Sequence, residues 1–231
     1  MLRSRPSLAA RLTAIAIAAS PLVPAHSQQL PSPLSGFFAT STGSGAAGGN
    51  LGGLEGADLK CATLAAAADL PGSTWAAYLS TSTANARDRI GCGPWYNVTG
   101  TLIATDVDDL HANGIPAADV LDENGAAIPF SAHDILTGSG QAGGLHPTSA
   151  NCGDFQVSEA SSYVAVGHSD GGGVGEGGTD GNSVSISWNA AHLSACSQAG
   201  LQATSGEGRI YCFRVDVPNL IFADGFESGV D

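Results

Sequence analysis

The sequence predicts an α+β domain with one main helix, short antiparallel strands, long Gly-rich loops and disulfides. Three observations carry that expectation: one strong helical periodicity, short β-rich runs set between glycine clusters, and five cysteines behind an export signal. The periodicity is Leu54, Ala57, Cys61, Leu64, Ala65 and Ala68, which recur at three- and four-residue steps until Pro71-Gly72 stops the helix. Cys61 lies on that apolar stripe and so faces the core.

Residues 1–27 read as a signal peptide. Arg3, Arg5 and Arg11 precede an apolar run at 12–19, Pro21 and Pro24 break it, and Ala25-His26-Ser27 supplies a cleavage site. The run falls well short of the ~20 residues that span a bilayer, and no other segment approaches that length, so no transmembrane segment is expected in the mature chain. Residues 28–35 form a Pro- and Ser-containing lead-in, 36–217 the domain and 218–231 a C-terminal tail.

Within the domain, the apolar run at 36–42 reads as a strand and 43–53 as a loop rich in Gly, Ala, Ser and Asn. After the helix, 74–80 has strand composition. A hairpin is expected at 95–104, turning on Thr99-Gly100-Thr101. Residues 106–124 are acidic and turn-rich, and 127–130 and 134–138 are extended. A glycine loop covers 138–144, strands are expected at 163–166 and 183–188 with the loop 169–181 between them, and 210–215 is the best late strand. No repeat of 20–50 residues occurs, which removes solenoids and propellers.

Loss of residues 1–27 removes three of the eight basic residues and none of the 21 acidic ones, so the formal charge moves from −13 to −16. Such a surface repels phosphate backbones and anionic headgroups, which argues against nucleic acid and bare membrane as partners. Divalent cations and neutral polar ligands remain compatible. Cys61, Cys92, Cys152, Cys196 and Cys212 include no CxxC pair, so disulfides are expected rather than a zinc or redox motif. The odd count leaves one thiol over, and the residues themselves do not choose the pairing.

The opening strand Phe37-Phe38-Ala39-Thr40-Ser41, the loop Asn50-Leu51-Gly52-Gly53-Leu54 and the helix start Gly56-Ala57-Asp58-Leu59-Lys60-Cys61 form an ordered series. It continues through Gly93-Pro94-Trp95-Tyr96, Asp122-Glu123-Asn124-Gly125, Leu136-Thr137-Gly138, Asn151-Cys152 and Ile210-Tyr211-Cys212-Phe213. In this order and spacing the series resembles a bacterial family of exported C-type-lectin-like domains, distantly related in shape to endostatin. The resemblance implies that the first and last strands lie side by side. It also implies nested bridges, Cys61 with Cys212 and Cys152 with Cys196, leaving Cys92 unpaired.

C-type lectins often bind sugar through calcium, but here Trp188-Asn189 is followed by Ala190 where a second carboxylate would stand. Calcium candidates are instead Asp170, Glu176, Asp180 and Asn182 in a glycine-rich loop, because calcium takes six to eight oxygens from a flexible backbone. The competing reading is a solvated acidic loop. Asp106, Asp108, Asp109 and His111 form a second acidic group, without the Gly and terminal Glu of an EF-hand. Gly167-His168-Ser169-Asp170-Gly171 matches Gly-x-Ser-x-Gly, but the glycines after it are a poor start for the helix a nucleophile elbow needs. His111, His133, His146, His168 and His192 show no HExxH spacing, so they could ligate a metal only through tertiary proximity.

The expected function is therefore an exported, non-catalytic binding module, secreted, periplasmic or at the cell surface. Its partner would be a glycan or an extracellular protein, met by the loops between Gly138 and Asp180. One alternative is an exported metal-dependent hydrolase assembled from scattered His and Asp. Another is a structural envelope protein attached through Cys92 or the tail.

Overall fold

The structure is a computed structural model that describes residues 31–171 and 187–216. Its strands are β1 (Phe37–Ala39), β2 (Trp75–Ala77), β3 (Trp95–Tyr96), β4 (Leu102–Ala104), β5 (Asp134–Leu136), β6 (Tyr163–His168), β7 (His192–Ala195) and β8 (Gly206–Arg214). Its helices are α1 (Gly53–Ala67), α2 (Ala86–Arg89), α3 (Val107–Asn113), a single turn α4 (Cys152–Phe155) and α5 (Gln198–Ala203). The chain is mixed α+β, and among the described residues no helix is long and apolar enough to cross a membrane.

Strand β8 organises the main sheet, whose order is β1-β8-β5-β6-β7 with β2 also paired to β8. Antiparallel β1 matches Phe37 to Phe213, β2 matches Trp75 to Arg214, and β5 runs parallel to the first half of β8. Side chains alternate across a strand, so β8 sends Ile210 and Cys212 to one face and Tyr211 and Phe213 to the other. The buried residues divide accordingly. Phe38, Leu136, Val164, Val166, Ile210 and Cys212 pack with α1 in one cluster, while Phe37, Ile135, Tyr211 and Phe213 pack with Trp95, Trp188 and Leu110 in a second.

The helix expected at 54–68 is α1, which buries Gly53, Ala57, Cys61 and Ala65 at four-residue steps. Cys61 is joined to Cys212, so the disulfide fastens α1 to the central strand, and Cys152 is joined to Cys196. These are the two pairs that the resemblance implies, and Cys92 is exposed and free. Two disulfides accord with an oxidising compartment.

The hairpin β3–β4 pairs as expected, and its turn is built by Asn97, whose buried Oδ1 accepts from the backbone N–H groups of Thr99 and Thr101. The acidic stretch 106–124 differs from expectation because 107–113 is helical. Asp106 accepts from the backbone N–H of Asp109 and so caps α3, while Leu110 anchors it in the core. Residues 127–130 begin extended, with a bridge from Leu121 to Ala127, and then tighten into a 3-10 turn at Phe130–Ala132. The lead-in from residue 31 is tied down: Ser32 N–H donates to Val98 and Ser35 is fully buried. In α4 all four residues have positive φ, so this turn is left-handed, with Asn151 accepting from the N–H of Asp154. The strand expected at 183–188 lies outside the described residues except for Ser187 and Trp188.

Candidate metal centre

Three adjacent strands bring the scattered histidines together. Asp134 opens β5 and stands directly opposite His168, the last residue of β6. His192 opens β7 opposite Val166, two residues before His168 and hence on the same face. Asp134, His168 and His192 therefore share one face at one end of the sheet, beyond Leu136 and Val166. His133 would point away from Asp134 if both were extended. Its backbone is instead helical, with φ −76° and ψ −18° at the end of the 3-10 turn, and its side chain reaches the same carboxylate.

The geometry is compact. Oδ1 of Asp134 lies 3.2 Å from His133 Nε2 and 3.3 Å from His168 Nε2, and Oδ2 lies 3.3 Å from His192 Nε2. The Asp134 side chain is 1% exposed, whereas the histidines are 11%, 14% and 28% exposed in the same order. The imidazoles form a row, with His133 and His168 centroids 4.7 Å apart and His168 and His192 centroids 5.0 Å apart. Gly167 lets this row form, because a Cβ there would sit 1.8 Å from the carbonyl oxygen of Trp188.

Proton positions follow from the outer partners. His133 Nδ1 is 2.6 Å from the carbonyl oxygen of Phe130, and His192 Nδ1 is 3.3 Å from that of Leu193. A carbonyl only accepts, so each Nδ1 carries the proton, and a neutral ring then turns the Nε2 lone pair toward Asp134. Lone pairs facing a buried carboxylate repel it unless a proton or a cation stands between them. Among the described residues neither oxygen of Asp134 makes a well-aligned hydrogen bond despite the short separations, and His168 Nε2 is likewise without one. Such groups are costly to bury.

Without an ion, protons take up part of that charge. Burial alone raises the pKa of Asp134, but attraction to His168 and His192 outweighs it and holds the carboxyl at about 2. Burial lowers the pKa of His192, but its contact with Asp134 reverses this and leaves it raised.

The arrangement also suits a metal. Donors about 2.0–2.1 Å from a tetrahedral zinc lie roughly 3.3 Å from one another, close to the separations found here. Ligand atoms of Asp134, His168 and His192 all lie within 4.8 Å of one another, and so do those of His133, His168 and Asp170. A ring N–H given to a backbone carbonyl is the usual outer support of a metal-ligating histidine.

Other expected sites fare differently. Of the calcium candidates, Asp170 is exposed and stands beside His133 and His168, while Glu176, Asp180 and Asn182 lie outside the described residues. Asp109 accepts from Thr105 and Asn113, and its pKa is lowered by the Thr105 backbone bond first. His111 turns inward, accepting at Nε2 from the Tyr78 hydroxyl and donating from Nδ1 to Val107, so that acidic group is dispersed. Trp188 is fully buried in the core, and Asn189 donates to Tyr78. Ser169 is buried with its Oγ unpaired among the described residues, following β6 in a turn. A cleft of about 480 Å³ between Thr81 and Arg89 is lined mainly by hydroxyl, amide and charged groups.

In the sequence the three histidines stand only as separate residues, and Asp134 only as part of an extended run. No motif spacing could have joined them, since strand register does so. Comparison of the sequence with protein-family models and with curated proteins gives no match.

Proposed function

We propose that this chain is an exported metal-binding domain whose centre, Asp134, His168 and His192 with His133 beside them, holds a zinc-class divalent ion. The observation that carries the reading is a nearly buried carboxylate, without a well-aligned hydrogen bond among the described residues, faced by three imidazole Nε2 atoms at 3.2–3.3 Å. Nitrogen donors favour zinc and its neighbours over calcium, which prefers oxygen. Three protein donors leave a coordination position free. The expected glycan or extracellular protein partner is then the molecule whose oxygen completes the shell. With water in that position, a bound ion would supply an activated nucleophile, and hydrolysis would be the reaction class open to the centre.

Export is supported by the two disulfides and by the basic and apolar pattern of residues 1–27. The C-type-lectin-like assignment is supported by paired β1 and β8 and by one bridge nested within the other.

Calorimetric titration of chelator-treated protein tests the reading. Zinc is expected to bind with micromolar or tighter affinity, and His168→Ala is expected to weaken it at least 100-fold, with calcium showing no comparable heat. Absence of zinc binding by the folded wild type would overturn it.

A further inference from the structure

The donors form two groups rather than one. Asp134, His168 and His192 make the first, and His133, His168 and Asp170 make the second, each with its ligand atoms within 4.8 Å of one another. His168 is common to both, and an imidazole has two nitrogen donors. It is also the middle ring of the row, with His133 and His192 on either side. Both oxygens of Asp134 are engaged: Oδ2 faces His192, whereas Oδ1 faces His133 as well as His168. A single ion among Asp134, His168 and His192 accounts for the first group. It leaves a further nitrogen donor, His133, 3.2 Å from the buried Oδ1, with a carboxylate from Asp170 nearby.

We propose that the centre takes two zinc-class ions bridged by Asp134. One is held by Asp134, His168 and His192. The other is held by His133 and Asp170, with Asp134 Oδ1 turned toward it. Carboxylate-bridged ions in two-metal centres stand about 3.5–4 Å apart, a span that one carboxylate covers. Two carboxylates offset part of the added charge, and the acidic chain favours cations generally. Asp170 is exposed while Asp134 is nearly fully buried, so the second ion is the weaker.

This inference rests on the metal-binding reading above, and the two fail separately. Chelator-treated full chain is titrated with zinc by calorimetry, and the bound metal is counted by elemental analysis after dialysis against free zinc well above the dissociation constant of the weaker step. The wild type is expected to bind two ions, the second at least tenfold more weakly. His133→Ala and Asp170→Asn are each expected to bind one, with their folding checked by far-UV circular dichroism. Cobalt(II) titration of the wild type supplies a readout that needs no variant, because a bridged pair couples magnetically and its paramagnetic signal falls as the second equivalent enters. One ion in the wild type, or two in His133→Ala, would overturn the two-ion centre while leaving the first reading in place. No ion in the wild type would overturn both.

Discussion

Lys60, the only lysine in the chain, donates to the carbonyl of Gly43 and lies near Arg209 and Glu123. Burial first, and then the charge of Arg209, lower its pKa from 10.5 to about 8. Between those values the unfolded chain binds more protons than the folded one, so stability rises as pH climbs through that window. Urea unfolding at pH 7.5 and 9.5 is expected to show a Lys60-dependent gain of up to about 2 kcal/mol. Lys60→Met removes that gain, and equal pH dependence in the two proteins would contradict this account. The residue scale is also where the sequence was least legible. His133, His168 and His192 carry no motif between them, and their meeting at Asp134 depends on pairing across β5, β6 and β7 and on one helical φ/ψ pair at His133. Asp170 was singled out for oxygen coordination in a glycine loop, whereas the structure sets it beside two imidazoles.

Among the elements, α1 is held to its neighbours by one carboxylate as well as by its disulfide and apolar packing. Asp58 accepts from the backbone N–H of Ala77 in β2 at 2.8 Å and from Arg89 in α2 at 2.6 Å. Replacing it leaves the Ala77 N–H without its acceptor and the partly buried Arg89 guanidinium with only the Ala77 carbonyl. Asp58→Ala is therefore expected to cost about 1–3 kcal/mol in chemical denaturation, with Asp58→Asn recovering part of the loss. The α1 periodicity was visible because apolar residues recur on one side. The short α3 was not, since its helicity comes from capping by Asp106 and one buried leucine rather than from an apolar stripe. β7 and α5 were missed for a related reason. Each is short, and they are placed by pairing with β6 and by burial of Leu201 beneath the sheet.

For the whole molecule, the two bridges close loops of very different length, separated by 151 and 44 residues. In the chain-entropy account the outer bridge contributes about 5 kcal/mol and the inner about 4. Cys61→Ser with Cys212→Ser is accordingly expected to lower unfolding stability more than Cys152→Ser with Cys196→Ser, as urea titration would show. The reverse ranking would mean that native contacts around the left-handed turn at Cys152, rather than loop length, set the effect. The α+β class was legible because it follows from local composition, while the sheet order was not, because it joins segments far apart in sequence. That order places β8, the strand with the most neighbours, after all the others along the chain. Until residues 206–214 leave the ribosome, β1, β2 and β5 lack the edge that unites them. A growing chain thus holds only fragments of its main sheet, and consolidates once its final strand has been made.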